Sequence, residues 1–300
     1  MVTEPVGDLA EDLRGLDTLD APREETVRWT NRVWHATWPK LMAVGVVLAA
    51  WQAVVWSGWR PTYVIPPPAT VLSDLGDLIR TSRFYQAVGI TMQRAVLGFA
   101  LATVVGTAVG IAMSQSRLLR RAAGSIITGL QSMPSIAWFP FAILVFKLTD
   151  AAILFVMVLG AAPAIANGLI SGVDHIPPIL LRAGTVLGAS GITAWRHVVL
   201  PAALPAFVSG LKQGWAFAWR SLMAGELLVV IASRPSIGFR LSAARELSDA
   251  SGLMAMMLVV LLIGVLVDGL VFGSVEQRIR RNRGLLADRS GPPRGVAHPF

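Results

Sequence analysis

Long apolar runs separated by polar breaks dominate the hydrophobic pattern of this chain. A helix needs about 20 apolar residues to cross the hydrocarbon core of a bilayer. Six runs are of this order, at 41–59, 90–114, 125–146, 151–171, 204–231 and 252–273. The pattern therefore predicts an all-α polytopic membrane protein with about six transmembrane helices.

Basic residues concentrate in alternate polar segments, which sets the expected orientation. With the N-terminus inside, the tail, 115–124, 172–203 and the C-terminal segment are cytoplasmic and hold 16 of the 26 Lys and Arg. The three segments on the other side hold seven. Because cytoplasmic loops are enriched in Lys and Arg, we expect both the N- and C-termini in the cytoplasm.

These boundaries divide the chain into four parts. We expect a cytoplasmic N-terminal tail over 1–40, and over 41–89 a first transmembrane helix followed by an outer proline-rich, amphipathic segment. The core transmembrane domain spans 90–273 and contains a cytoplasmic coupling loop over 172–203. A basic cytoplasmic tail covers 274–300.

Three consecutive prolines mark the outer segment, in the sequence Ile65-Pro-Pro-Pro-Ala-Thr70. Proline fixes its own backbone and favours extended conformations, so the segment predicts an extended arm. Thr70 is expected to N-cap an amphipathic helix over 71–79.

Composition excludes several kinds of site. Charged residues make up 15% of the chain, against about 25% in a soluble domain, which agrees with a membrane protein. Cysteine is absent and the four histidines are scattered, so we expect no metal site, no thiol nucleophile and no catalytic residues. The net charge of +8 lies largely beside the apolar runs, and without a recognition motif we expect no nucleic-acid partner.

Small residues and prolines distinguish the second and third runs. Gly106 and Gly110 form a GxxxG pair, which lets helix backbones approach closely in lipid. The third run contains Met133-Pro134 and Phe139-Pro140, and each proline is expected to kink the helix. Two kinks suit a helix that lines a pathway, and they equally suit a bent structural helix.

The fifth run is unusual because it carries charges where the bilayer makes them costly. Lys212, Trp215, Trp219 and Glu226 share one helical stripe, with Arg220 beside it. That side is expected to face other helices or a water-filled path; an internal ion pair, with Glu226 neutralising one of the two cations, is the alternative. The translocation path candidates are Met133, Pro134, Trp138, Lys212, Trp215, Trp219, Arg220 and Glu226.

The polar break from Arg182 to Pro205 reads RAGTVLGASGITAWRHVVLPAALP. We expect a first short helix over 179–187 that ends at Gly188, a glycine suited to the positive φ of a helix C-cap. A second short helical turn over 192–199 is expected to end before Pro201.

This break resembles the cytoplasmic EAA motif of binding-protein-dependent ABC importer permeases, which reads EAA, three residues, G, nine residues, I, one residue, LP. Gly188 takes the glycine and Val198 the isoleucine, with both spacings intact. Arg182 stands where the family usually has glutamate, and Gly184 replaces the second alanine. The resemblance implies an ATPase-coupling loop formed by Arg182, Ala183, Gly184, Thr185, Gly188, Ala189, Ser190, Val198, Leu200 and Pro201.

The resemblance extends over 63–285 and is to the nitrate/sulfonate/taurine subfamily. It is carried by IPPPATV, TMQRAVLGFALATVVGTAVG, LQSMPSIAWFPFAIL, WAFAWRSLMAGELL and SIGFRLSAAREL. It implies the type I ABC importer permease fold in a bacterial plasma membrane, spanning the lipid several times. It also implies three protein partners: an ABC ATPase subunit, an extracytoplasmic solute-binding protein and a second permease copy, as a homodimer.

The resemblance further implies a non-enzymatic subunit that imports a small anionic solute of the sulfonate, taurine or nitrate class. No cofactor is expected on this chain: it lacks a GxxxxGK[ST] phosphate loop, so ATP and Mg are expected on the partner ATPase. A stand-alone secondary transporter is the alternative, although we find no internal repeat of the kind such transporters carry. An intramembrane enzyme would need a catalytic constellation that the runs lack.

Overall fold

The computed structural model describes residues 29–282, which form helices joined by short turns and loops. Five helices are long and apolar enough to cross a membrane, or six if a bent helix pair counts as one span. The helices are α1 Trp29–Trp56, α2 Pro68–Ile79, α3 Ser82–Gln115, α4 Arg117–Ser132, α5 Phe139–Phe146, α6 Asp150–Asp174, α7 Pro178–Val186, α8 Gly191–Ala194, α9 Leu200–Leu228, α10 Ile237–Glu246, α11 Ala250–Val267 and α12 Gly273–Asn282.

The chain divides into two compact units, 1–60 and 61–300. In the first unit, α1 is continuous from Trp29 to Trp56 with Pro39 inside it, so the helix begins within the predicted tail. Its part that is apolar enough to span a membrane is Thr37–Trp56. The expected N-terminal tail up to residue 28, and the C-terminal tail from residue 283, lie outside the described residues.

The core of the second unit is built from α3, α6 and α9, which meet through small residues. A side chain at Gly168 would place its Cβ 2.5 Å from the Cα of Gly210, so α6 and α9 touch backbone to backbone at this crossing. A Cβ on Gly106 would lie 2.6 Å from the carbonyl oxygen of Ala162, which confirms that the predicted GxxxG pair is a packing face. The surrounding buried cluster includes Phe139.

The third apolar run is a broken helix pair rather than a kinked rod. A turn of 3₁₀ helix, 135–138, joins α4 to α5, and the two segments are bent by 101°. The break follows Met133, whose φ and ψ of −82° and 128° are extended, as the residue before a proline prefers. The second predicted kink is wrong: Pro140 lies in the first turn of α5, where its missing N–H is not needed.

The outer segment forms its helix earlier than predicted. α2 begins at Pro68, and Pro67 rather than Thr70 is the N-cap residue. Proline suits the first helical position because its φ is already helical. Thr70 therefore lies inside the helix, and only Pro66 and Pro67 remain of the predicted extended arm.

The predicted stop before Pro201 is also wrong. The chain stays helical from Gly191 to Leu228, through α8, a π turn over 195–199 and α9. A π turn widens the helix by one residue, which relieves the clash of a proline ring with the preceding turn. The 38 residues form a rod of about 57 Å at 1.5 Å per residue.

Candidate functional site

The predicted coupling loop contains a glycine cap at the end of α7. Gly188 has a φ of +82°, as predicted, and its N–H donates to the carbonyl oxygen of Thr185 at 3.0 Å. The N–H of Ala189 donates to the carbonyl oxygen of Gly184 at 2.9 Å. These two bonds make a Schellman motif, which ends the helix at a fixed angle.

Gly184 joins the two halves of the loop. A Cβ at this position would lie 2.9 Å from Cγ2 of Val198, so α7 is in direct contact with the π turn here. Gly184 is buried, whereas Arg182, Ala183, Thr185 and Ser190 are exposed. The substitution of the motif's second alanine by glycine thus has a packing reason.

The tip of the loop exposes large apolar side chains. Val186, Leu187 and Ile192 are 86–87% exposed, although each would gain free energy from burial. Leu200 and Pro201 lie at the start of α9, where Leu200 is also exposed. An exposed apolar patch at a rigid loop is typical of a protein interaction surface.

A buried charge cluster lies at the other end of the rod. The Glu226 carboxylate accepts from Arg94 Nη1 at 2.9 Å, from the Thr91 hydroxyl at 2.9 Å and from the Gly238 N–H at 3.0 Å. Arg94 is 3% exposed and Glu226 1%. The cluster therefore connects α9 to α3 and to the first turn of α10.

The cluster continues to the surface. Arg94 Nη2 lies 2.7 Å from Asp150 Oδ1 at the start of α6, and Arg234 also pairs with the Asp150 carboxylate. Arg234 donates in addition to the Gln93 side chain at 2.6 Å. The two guanidinium groups and the two carboxylates have a net charge of zero. Each buried charge therefore has a partner of opposite sign, which offsets the free-energy cost of removing it from water.

The alternative of an ion pair within the fifth run is wrong. Glu226 pairs with Arg94, and Lys212 pairs with Asp268 of the π turn after α11 at 3.3 Å. Glu226 lies fourteen residues beyond Lys212, about 21 Å along the rod, so neither could reach the other. The Lys212 and Asp268 side chains are 41% and 48% exposed.

The tryptophans of the fifth run belong to the helix packing. Trp215 is buried and stacks on Trp219, with ring centroids 6.0 Å apart, and it meets Phe99 edge to face. Trp138 packs against the same buried cluster and meets Phe141 edge to face. These three path candidates are placed among other helices.

Arg220 is brought together with the break in the third run. It lines a cavity of about 320 Å³ with Met133 and Pro134, and its guanidinium lies 5.2 Å from the ring centre of Phe217. Beside it, the hydroxyls of Ser221 and Ser135 are 2.8 Å apart and fix the break against α9. Among the described residues, Arg220 has no carboxylate partner.

Sequence reasoning missed Arg94, Asp150 and Arg234. Arg94 stands inside the predicted second run, and an intramembrane charge is itself a signal that a partner exists. The identity of that partner has no local signal, because Arg94 and Glu226 are 132 residues apart. No group of three or more potential metal ligands occurs in the described part of the chain.

Comparison with known proteins gives the following likenesses. A family model described as "Binding-protein-dependent transport system inner membrane component" matches residues 98–281. The taurine transport system permease protein of Escherichia coli (strain K12) is 27% identical over 230 residues, 75% of this chain and 82% of the relative. The nitrate import permease protein of Leptolyngbya laminosa is 29% identical over 249 residues, 80% of this chain and 87% of the relative.

A solved structure of the MetNI methionine ABC transporter in an inward-facing conformation has the same fold. Its TM-score is 0.57 at 18% sequence identity, over 65% of this chain and 95% of that chain. At this identity, the match concerns the fold alone.

Proposed function

This chain belongs to the family of binding-protein-dependent transport system inner membrane components, and from that premise we propose that its solute is a small anion of the sulfonate, taurine or nitrate class. The chain is the permease subunit of an ABC importer and a multi-pass protein of the inner membrane. Family membership argues against the stand-alone transporter. A separate ATPase that holds ATP and Mg, an extracytoplasmic solute-binding protein and a second copy of this chain complete the proposed importer.

The coupling part of the proposal rests on the loop over 178–201. Its exposed apolar tip offers the ATPase a surface of Val186, Leu187 and Ile192. Because the loop continues without interruption into the rod that ends at Leu228, ATP-driven movement of the tip is carried along the rod as a rigid body. This continuity supports a lever that alternately opens the two faces of the permease.

The anion proposal rests on the observation that Arg220 lines a cavity and has no carboxylate partner among the described residues. The other cations of the spans, Arg94 and Lys212, each pair with a carboxylate, whereas Arg220 faces a cavity without one in the described structure. A guanidinium offers planar donors that fit sulfonate and nitrate oxygens. In a dimer, the cavities of two copies would contribute two such groups to one path.

The subunit composition is tested by mild crosslinking of the tagged chain in native membranes, followed by mass spectrometry. We expect an ATPase crosslinked near Arg182 to Ser190 and a solute-binding protein in the same complex. Recovery of the chain alone, under conditions that preserve a known importer complex, would contradict the proposed partners.

The solute class is tested by uptake of radiolabelled taurine, a longer alkanesulfonate and nitrate into cells that carry the complete importer. We expect Arg220→Gln to lower maximal uptake of the transported anion by about tenfold, the scale of one lost charge-assisted hydrogen bond, with its binding to the binding protein unchanged. Arg220→Lys is the matched control and should keep most of the rate. Wild-type uptake by Arg220→Gln would refute the role of Arg220, and failure of the wild type to take up any of the anions would refute the solute class.

A further inference from the structure

A second cavity, of about 540 Å³, opens on the face opposite the coupling loop. It lies between α10, the start of α3 and the end of α2. Arg83 and Arg240 line it, together with Gln86, Phe239 and Leu247. The path proposed above, beside Arg220, does not include it.

The two guanidinium groups of this cavity lack a counter-ion. Neither Arg83 nor Arg240 makes an ion pair with any residue that the structure describes, whereas Arg94, Arg120 and Arg234 all do. Partial burial and the positive charge of Arg83 lower the pKa of Arg240. Two like charges in one cavity repel each other, and an anion between them would remove that cost.

The one carboxylate that lines the cavity is engaged elsewhere. Asp249 caps the first turn of α11, where it accepts from the Gly252 N–H at 2.9 Å and from the Ser251 hydroxyl at 3.1 Å. It therefore serves the helix end rather than the two arginines.

The wall that carries Arg240 is held rigidly. Ile237 and Leu241 of α10 pack with Phe84 and Met256 in a small apolar core of their own. The Glu226 carboxylate also holds the Gly238 N–H at the start of α10. These contacts fix the backbone of α10 beside the cavity, so no backbone ordering of this helix is needed at the moment of binding.

We propose that the cavity of Arg83 and Arg240 receives an acidic side chain of the extracytoplasmic solute-binding protein, an inference that rests on the partner named in the proposed function. Its surroundings favour a protein over a free ion. Leu247 is 79% exposed at the cavity and Tyr85, two residues beyond Arg83, is 60% exposed. Arginine with exposed aromatic and apolar side chains is the composition of a protein interface core, whereas a free anion gains little from apolar neighbours.

The proposal is tested with the purified permease–ATPase complex in nanodiscs and the solute-binding protein identified by crosslinking. The variant is Arg83→Gln with Arg240→Gln. The matched control is Arg80→Gln, an exposed cation of the same region that already pairs with Asp77. Binding of the binding protein is measured by biolayer interferometry at about 50 mM and about 500 mM salt, which screens exposed charges.

We expect the double variant to raise the Kd at least about tenfold at low salt, with a much smaller difference at high salt. The control is expected to bind within about twofold of wild type, and basal ATPase activity without binding protein is expected to be unchanged in both. Unchanged basal activity shows that the variant is folded and coupled to its ATPase.

Three outcomes overturn the inference. Equal Kd values for the double variant and wild type would do so, as would a loss that salt does not reduce. The third outcome is a double variant that binds the binding protein with the wild-type Kd and yet loses the change in ATPase activity that free taurine causes in the wild type. That result would assign the cavity to a small anion instead. If the wild type bound no solute-binding protein at all, the proposed function itself would fail.

Discussion

Removal of the Glu226 carboxylate is expected to be the most destabilising single change in the charge cluster. Glu226→Ala deletes the acceptor of Arg94 Nη1, of the Thr91 hydroxyl and of the Gly238 N–H, all within 3.0 Å. Arg94 stays 3% exposed and keeps only Asp150. The buried guanidinium of Arg94 would then have one carboxylate partner instead of two.

The size of the effect follows from the burial of the pair. Breaking a buried ion pair by deleting one partner costs about 3–5 kcal/mol, most of it from the stranded charge. Each kcal/mol lowers Tm by roughly 2–4 °C in a domain of 150–250 residues. We therefore expect the apparent Tm of Glu226→Ala to fall by roughly 6–20 °C.

The same argument predicts that a second change restores stability. Replacing both Glu226 and Arg94 by leucine removes the stranded charge, and such replacements are often neutral or stabilising. Asp150 retains Arg234 as its partner. The double variant is therefore expected to melt above Glu226→Ala, although it carries more substitutions.

The assay is thermal unfolding of detergent-purified protein, with the surviving monodisperse fraction measured by size-exclusion chromatography after heating. Asp77→Ala is the matched control, because its pair with Arg80 is 74–83% exposed and should contribute nothing measurable. A Glu226→Ala protein that melts within about 2 °C of wild type would refute the reasoning, as would a double variant that melts below the single one.

Three further changes test other parts of the molecule. Gly188→Asp places a side chain on a φ of +82° at the helix cap, and ATP-driven uptake should be lost while membrane insertion, measured by immunoblot of membranes, persists. Gly168→Ala puts a Cβ 2.5 Å from Gly210 and should lower the yield of folded protein on size exclusion severalfold, whereas Gly89→Ala, in open space, should be neutral. Asp249→Ala removes a helix cap worth about 1 kcal/mol and should lower the apparent Tm by a few degrees. Normal uptake by the first, normal yield of the second or an unchanged Tm of the third would contradict the corresponding contact.

The local geometry of the proposed coupling loop could be predicted from the sequence, because its determinants lie close together in the chain. The positive φ at Gly188 follows from one residue type, and the cap it makes involves residues within five positions. The same holds for the helix over 179–187, which the structure begins at Pro178. Spacing within one loop is enough to set such contacts.

The break predicted at Pro134 is observed, whereas the predictions that rested on Pro68, Pro140 and Pro201 are wrong. Proline disrupts a helix only where an N–H is needed, and the sequence does not show where a helix begins. Pro68 and Pro140 each lie in a first turn, so Pro68 starts a helix instead of extending the arm, and Pro140 does not bend the helix that it was expected to kink. Pro201 follows a π turn, which no local propensity indicates.

The ion pairs between different helices could not be predicted from the sequence. The fifth apolar run contains Lys212 and Glu226, and charges inside a membrane span indicate that each has a partner. Helical spacing, however, relates only residues of the same helix, so it does not identify partners on other helices. Glu226 meets Arg94 because α9 packs against α3. Lys212 meets Asp268 because α9 also packs against the π turn that follows α11. Arg220 has no carboxylate partner in the described structure for the same reason: the packing of the broken third run leaves a cavity there.

The buried cluster also sets the order in which the protein can be made. Arg94 is translated 56 residues before Asp150 and 132 residues before Glu226. At about 5–20 residues per second, the ribosome supplies Asp150 after roughly 3–11 s and Glu226 after roughly 7–26 s. During that interval the second span holds an arginine without its carboxylates, at a cost of about 2.5–3.5 kcal/mol if it lies at the membrane centre. A position near water or beside the insertion machinery lowers this cost until α6 brings Asp150 and α9 brings Glu226. Translational pausing between Arg94 and Glu226 would therefore lengthen the time for which Arg94 lacks a carboxylate.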